Sequence, residues 1–350
     1  MKIFPFACLL IPVRKCHCRL LFGLIGLIHV QLAGFGQSVR SPSEIAEITQ
    51  QSQLDYSIEV VPERLPEPPL TQRNHSRLYQ EVSGEGYQIA EYGLDSVDQA
   101  VYAAAERAYR AQDYGAARRA YLALLARNPE YGFVMTLVGE CYKLTGESDS
   151  ATVWYERAIA ANFFDYLPHW FLASSLLERG ESEAAAREIA TAWTLNRNHN
   201  QLRAVAQQIF TQAGRKVEDF QFRSEAEVRR KGAQVVVEAR EDWIAYGLCK
   251  AIWAFEPGIR PANADENYCL PEEEECLLNL FAVWEADKDR KGMKSPLPRT
   301  LKRAIEERWL AEFVFFELWL PREPLIVYTQ PREGIEAIAR YVVEVRGQKK

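Results

Sequence analysis

Histidine is scarce in this 350-residue chain, which has five, and none occurs beyond His199. His75, His169 and His199 stand far apart, at no metal-ligand spacing. The C-terminal half therefore has no imidazole of its own for a Ser-His-Asp or Cys-His arrangement. Gly-rich loops that cradle phosphate are missing as well. Neither a metal nor a cofactor is expected. Residues 1–36 lack aspartate and glutamate but contain Lys2, Arg14, Lys15 and Arg19. Beyond them the chain lacks an excess of positive charge. The whole sequence balances 42 basic against 48 acidic residues, and without those four basic residues 38 face 48, a net −10. A chain of that sign is poorly suited to neutralising phosphates, which argues against a nucleic-acid partner.

What is present begins with a leader. Behind the cationic flank runs the weakly polar stretch Leu20–Gly36, LLFGLIGLIHVQLAGFG, with small residues Gly34 and Gly36 at its exit. This is the layout of a secretory signal peptide over 1–36, with a mature start near Gln37. An uncleaved membrane tether is the competing reading, although 17 residues interrupted by His29 and Gln31 are at the short limit for spanning. The expected location is thus exported, periplasmic or extracellular, or anchored to a membrane. Cleavage leaves Cys141, Cys249, Cys269 and Cys276. In an oxidising compartment they admit one disulfide, for which Cys269 and Cys276 are the expected pair; the other reading is four buried or idle thiols. Residues 37–95 read as a disordered linker, because PERLPEPPL (62–70) and its Ser, Gln and Glu-rich surroundings offer little to bury.

A period of 34 residues dominates the middle. Ala117, Ala151 and Ala185 keep it, as do Gly146, Gly180 and Gly214, and Ala105, Gly139 and Ala173. Ala158 with Ala192, and Tyr121, Tyr155 and Ile189, keep it too. Each unit reads as two antiparallel helices. Small residues stand where the helices cross, a left-handed glycine closes the turn, and the large residue fills the space to the next hairpin.

These positions resemble the tetratricopeptide repeat family, with Pro129, Gly139 and Tyr142 matching its pattern over about 115 residues. Ala105 replaces the usual glycine, Phe163 and Arg197 stand where proline is common, and His169 replaces an aromatic residue. The resemblance implies a short α-solenoid of three helical hairpins over 96–214, with residues 200–213 as a capping helix. It also implies a groove lined by the first helix of each pair. The groove residues would be Tyr102, Glu106, Tyr109, Phe133, Glu140, Lys143, Trp170 and Leu177, flanked by Gln99, Thr136, Leu167 and Ser174. Tyr102, Tyr109 and Trp170 would be the anchors for an apolar or basic peptide. The alternative is that the chain's own linker or C-terminal part covers that face.

Residues 220–347 match no family pattern and read as a further helical domain. Expected helices run from Trp243 to Phe255, from Pro271, over Leu301–Leu320 and over 334–345, with one short strand at LIVYT (325–329). Glu272–Glu275 suit the first turn of their helix. Glu312 and Glu317, among Phe313, Phe315, Phe316 and Trp319, are the candidate acid/base pair if this half is an enzyme. Arg299, Lys302, Arg303 and Arg308 form a basic helix face. The fold class expected is mostly all-α. The function expected is an exported scaffold or adaptor that binds a protein or peptide partner in the cell envelope. A carboxylate-based enzyme and a structural subunit of an envelope assembly are the alternatives.

Overall fold

A computed structural model describes residues 39–62, 75–84, 86–265, 267–286 and 295–349. The expected signal peptide and most of the proline run lie outside these. No helix of the described residues is long and apolar enough to cross a membrane. In chain order the elements begin with α1 (Pro42–Gln51), β1 (Asp55–Val60), β2 (Leu78–Ser83) and β3 (Gly86–Glu91). Seven helices follow: α2 (Ser96–Arg110), α3 (Tyr114–Arg127), α4 (Gly132–Leu144), α5 (Ser148–Ala161), α6 (Tyr166–Glu178), α7 (Ser182–Leu195) and α8 (Asn200–Gln212). Then come β4 (Arg215–Val217), β5 (Ala226–Lys231), β6 (Gln234–Ala239), α9 (Ile244–Phe255), α10 (Leu270–Ala286) and α11 (Pro296–Glu306). A helical run starts as α12 (Leu310–Phe313) and widens into π-helix over Val314–Trp319. The chain ends with α13 (Arg332–Tyr341) and β7 (Gly347–Lys349). The fold is predominantly helical, with paired helices and a few small sheets.

The described residues divide into two compact units. The first takes 39–62, 226–262 and 275–286; the second takes 75–225, 263–274 and 295–349. The stretch expected as one C-terminal domain is thus shared between them.

In the first unit, β6 lies between β1, which is parallel to it, and β5, which is antiparallel. Val235, Val237 and Ala239 of β6 are wholly buried. α9 packs on them through Gly247, where an added Cβ would lie 2.6 Å from Val237 Cγ1. Glycine is the side chain that lets helix and sheet meet this closely. The expected helix from Trp243 to Phe255 is present, capped at Glu256 ahead of Pro257. The all-α expectation missed the sheet, and α1 and β1 form within the expected linker. Ile45 and Ala46 of α1 are buried, so this segment does bury apolar surface.

In the second unit, α2 packs with α3, α4 with α5 and α6 with α7, each pair also meets the next, and α8 packs on α7. Ala105, Ala117, Ala151, Ala173 and Ala185 are wholly buried at the crossings. Gln112, Gly146, Gly180 and Gly214 follow the ends of α2, α4, α6 and α8, with φ of 62°, 86°, 80° and 70°. The left-handed turn therefore recurs with the period, using glutamine in the first pair. Asp95, Asp113 and Asp165 accept backbone N–H groups at the starts of α2, α3 and α6.

The β2–β3 hairpin also occupies the expected linker. It is held by Asn162 Nδ2 donating to Leu78 O at 2.8 Å and Gln80 Nε2 donating to Tyr328 O at 2.8 Å. Residues 325–329, expected as a strand, lie in a 3-10 helix, Pro324–Thr329. Its apolar run is bounded by Pro324 and Pro331, and Tyr328 points inward to hydrogen-bond Phe164 O at 3.4 Å. Local β propensity yields here to tertiary packing. Phe313 and Phe316, which fall within the expected helix Leu301–Leu320, are wholly buried.

Candidate functional site

The period carries chemistry as well as packing. Tyr121 Oη donates to Glu106 at 2.5 Å, and one repeat later Tyr155 Oη donates to Glu140 at 2.8 Å. Burial pushes both phenols well above their ordinary range, and it raises the Glu140 carboxyl as well. The third hairpin has Ser174 and Ile189 at these positions and drops the pair. Glu106 and Glu140 thus spend an oxygen inside the hairpins.

The other expected groove residues separate into two groups. Phe133 is buried, and Tyr102 is half-buried with its ring 6.0 Å from that of Phe133. Arg77, just before β2, sits over both rings at 5.7 and 5.3 Å, and Tyr92 stacks on Phe133 at 5.7 Å. Tyr131 Oη, donating to Gly93 O at 2.5 Å, secures the same edge. This end of the face is covered by the chain's own hairpin. Tyr109, Lys143, Trp170 and Leu177 are half-buried. Tyr109 meets Tyr114 edge-on at 5.5 Å, and burial moves its hydroxyl up to about 12. Trp170 meets His199 edge-on at 5.5 Å. Lys143 pairs with Glu178, binding α4 to α6.

The proposed acid/base pair does not converge. Glu317 is buried, with Oε2 3.3 Å from Arg197 Nη2 and Oε1 3.1 Å from Arg346 Nε. Tyr341 Oη donates to it at 3.1 Å. Trp193 and Phe316 stack on the Arg197 guanidinium at 4.9 and 4.4 Å, and burial moves this guanidinium down to about 10. Glu312 instead lines a cavity of about 750 Å³ in the second unit. Tyr268, Phe315 and Trp319 supply its aromatic wall, and Asp265, Glu312 and Glu323 its charge. Trp319 meets Tyr268 at 5.6 Å and Phe315 at 5.5 Å, both edge-on, and its Nε1 has no hydrogen-bond partner. No lysine or arginine is among the described residues that line it. Burial and the charge of Glu312 raise the nearby Glu274 carboxyl to about 7. Sequence reasoning missed this cavity because its wall combines residues around 89, 265–270 and 311–338.

Glu272 and Glu273 stand in the first turn of α10, and all four of Glu272–Glu275 are buried. Glu275 accepts from Arg40 N at 2.9 Å and Trp253 Nε1 at 2.8 Å. The basic face is largely paired: Arg299 with Glu218 at 2.8 Å, Lys302 with Glu306 at 3.6 Å and Arg303 with Glu307 at 2.6 Å. Cys269 and Cys276 are not bridged. Cys269 precedes α10 and Cys276 lies in its second turn, and the helical rise between them, roughly 9 Å from Leu270 on, is beyond the reach of a disulfide. Cys276 Sγ lies instead 2.6 Å from Cys249 Sγ of α9.

No family model matches the chain, and no curated protein sequence does. Solved structures similar to part of the chain include the Yersinia enterocolitica type III secretion chaperone SycD in complex with a peptide of the translocator YopD. It is 18% identical, covering 34% of this chain and 91% of that one, with a TM-score of 0.31. The first tetratricopeptide domain of Spaghetti (RPAP3) bound to an HSP90 peptide is 16% identical, over 34% of this chain and 95% of that one, at 0.32. MamA is 15% identical, over 60% and 96%, at 0.31. The helical-repeat assignment rests on the 34-residue period and the packing described above.

Proposed function

We propose that the protein is an exported scaffold that binds a protein or peptide segment of the cell envelope on the first-helix face of its hairpins. The observation that carries this reading is the half-exposed series Tyr109, Trp170 and Leu177, standing on helices locked by wholly buried alanines. Aromatic anchors on a rigid frame bury much area at little entropic cost on binding. The aromatic and acidic cavity beside Trp319 would add a second contact, suited to an apolar residue that carries a positive charge.

The test is in-cell crosslinking and co-purification of the native protein beside a Tyr109→Ser/Trp170→Ser/Leu177→Ser variant of unchanged helicity. A partner retained by the native chain and reduced at least tenfold with the variant supports the reading. Equal recovery by both chains would overturn it. Assembly of the purified chain with itself through the ends of the helical stack would favour a structural subunit.

A further inference from the structure

We propose that Cys249 and Cys276 form a disulfide in the mature protein, joining α9 to α10 in the core of the first unit. The two Sγ atoms lie 2.6 Å apart, 27 residues distant in sequence, on different helices. A bonded pair stands at about 2.05 Å, so closing this gap needs only a small rotation of the side chains. Both residues are wholly buried. Burial raises the Cys249 thiol, the opposite of what a redox-active cysteine requires. The pair is therefore suited to a structural bond rather than to catalysis of exchange. The bond would close a loop over the stretch 256–269 between α9 and α10, whose described residues form no helix or strand. Loop closure of that kind constrains the unfolded chain.

Two S–H bonds break and one S–S bond forms. Two protons and two electrons pass to a disulfide-bearing oxidant, protein or small molecule, whose own S–S bond becomes two thiols. Since neither sulfur reaches solvent in the folded unit, this exchange precedes closure of the core. Cys141 and Cys269 remain thiols. The proposal takes its oxidising compartment from the exported reading above.

The experiment uses the full chain made with its own N-terminal segment. Its thiols are alkylated under denaturing conditions without reductant, and its peptides are mapped by mass spectrometry. A linked Cys249–Cys276 peptide with alkylated Cys141 and Cys269 is expected. Four alkylated cysteines, or a bridge through Cys269, would overturn the proposal. Fractionation of the same cells reports on export alone. Refolding of the purified chain in a glutathione redox buffer separates the two: the 249–276 bridge should form there whatever the compartment, and its absence counts against the proposal. Reductant should lower the midpoint of thermal unfolding by roughly 10 °C. A Cys249→Ala/Cys276→Ala variant should be insensitive to it, and equal sensitivity would also overturn the assignment.

Discussion

Tyr155 packs so closely on Gly139 that a Cβ added to the glycine would lie 2.5 Å from the edge of its ring. The corresponding pairs are Ala105 with Tyr121 in the first hairpin and Ala173 with Ile189 in the third. The first hairpin thus holds a tyrosine against an alanine, whereas in the second the ring approaches too closely for one. Gly139→Ala should cost about 1–3 kcal/mol through overpacking, read as a lower urea midpoint. Adding Tyr155→Ile, which reproduces the third hairpin's combination, should recover part of that loss. A double variant no more stable than the single one would show that the contact is not the cause.

The repeated tyrosine–glutamate bond makes a second prediction. Tyr155→Phe keeps the ring but leaves the Glu140 carboxylate without its 2.8 Å donor. The expected cost is about 1–3 kcal/mol, since a desolvated acceptor loses its partner. Tyr121→Phe should behave alike at Glu106, whereas Ile189→Val, with no such bond to lose, should cost only about 1 kcal/mol. Denaturation midpoints of the three variants check the ranking.

Asp165 is buried at the start of α6, with Oδ1 accepting from Leu167 N at 3.0 Å and Oδ2 without a partner. Burial raises its carboxyl from an ordinary 3.8 to about 7. Between those values the folded chain keeps a proton that the unfolded chain has released. The stabilising contribution is therefore full below about pH 4 and is lost as the pH rises towards 7. The difference amounts to about 4 kcal/mol at most. Asp165→Asn should remove this slope, so that the native-minus-variant stability falls between pH 4 and 7. A flat difference would show that the carboxyl titrates normally.

Glu317 balances two buried guanidiniums, Arg197 and Arg346. Glu317→Gln keeps the shape but leaves both charges uncompensated, with an expected cost of about 3–5 kcal/mol. Replacing all three residues by apolar ones of similar volume should cost far less, because the charges leave together. Chemical denaturation of the two variants distinguishes a charge effect from simple loss of packing.

Much of the second unit was legible in the sequence. A spacing of 34 residues records which positions return to the same helix crossing, and crossings admit only small side chains. The turns were legible for the same reason at Gly146, Gly180 and Gly214, but not at Gln112, which takes the left-handed position in the first pair without a glycine to mark it. The face of the first helices was legible only as a set of positions. Tyr102 and Phe133 proved to lie under Arg77 and Tyr92, from a stretch whose composition suggested a linker.

The sequence alone determined the paired helices, their register and the helix ending at Phe255, because each is written in spacings of three, four or 34 residues. Tertiary structure alone decided the sheet of the first unit, where Ser57 and Val235 meet across 178 residues. It also decided that Cys276 faces Cys249 rather than Cys269, and that Glu317 serves two arginines rather than a cavity. Those are long-range relations, set by which buried surfaces and charges can satisfy one another. No local period encodes them.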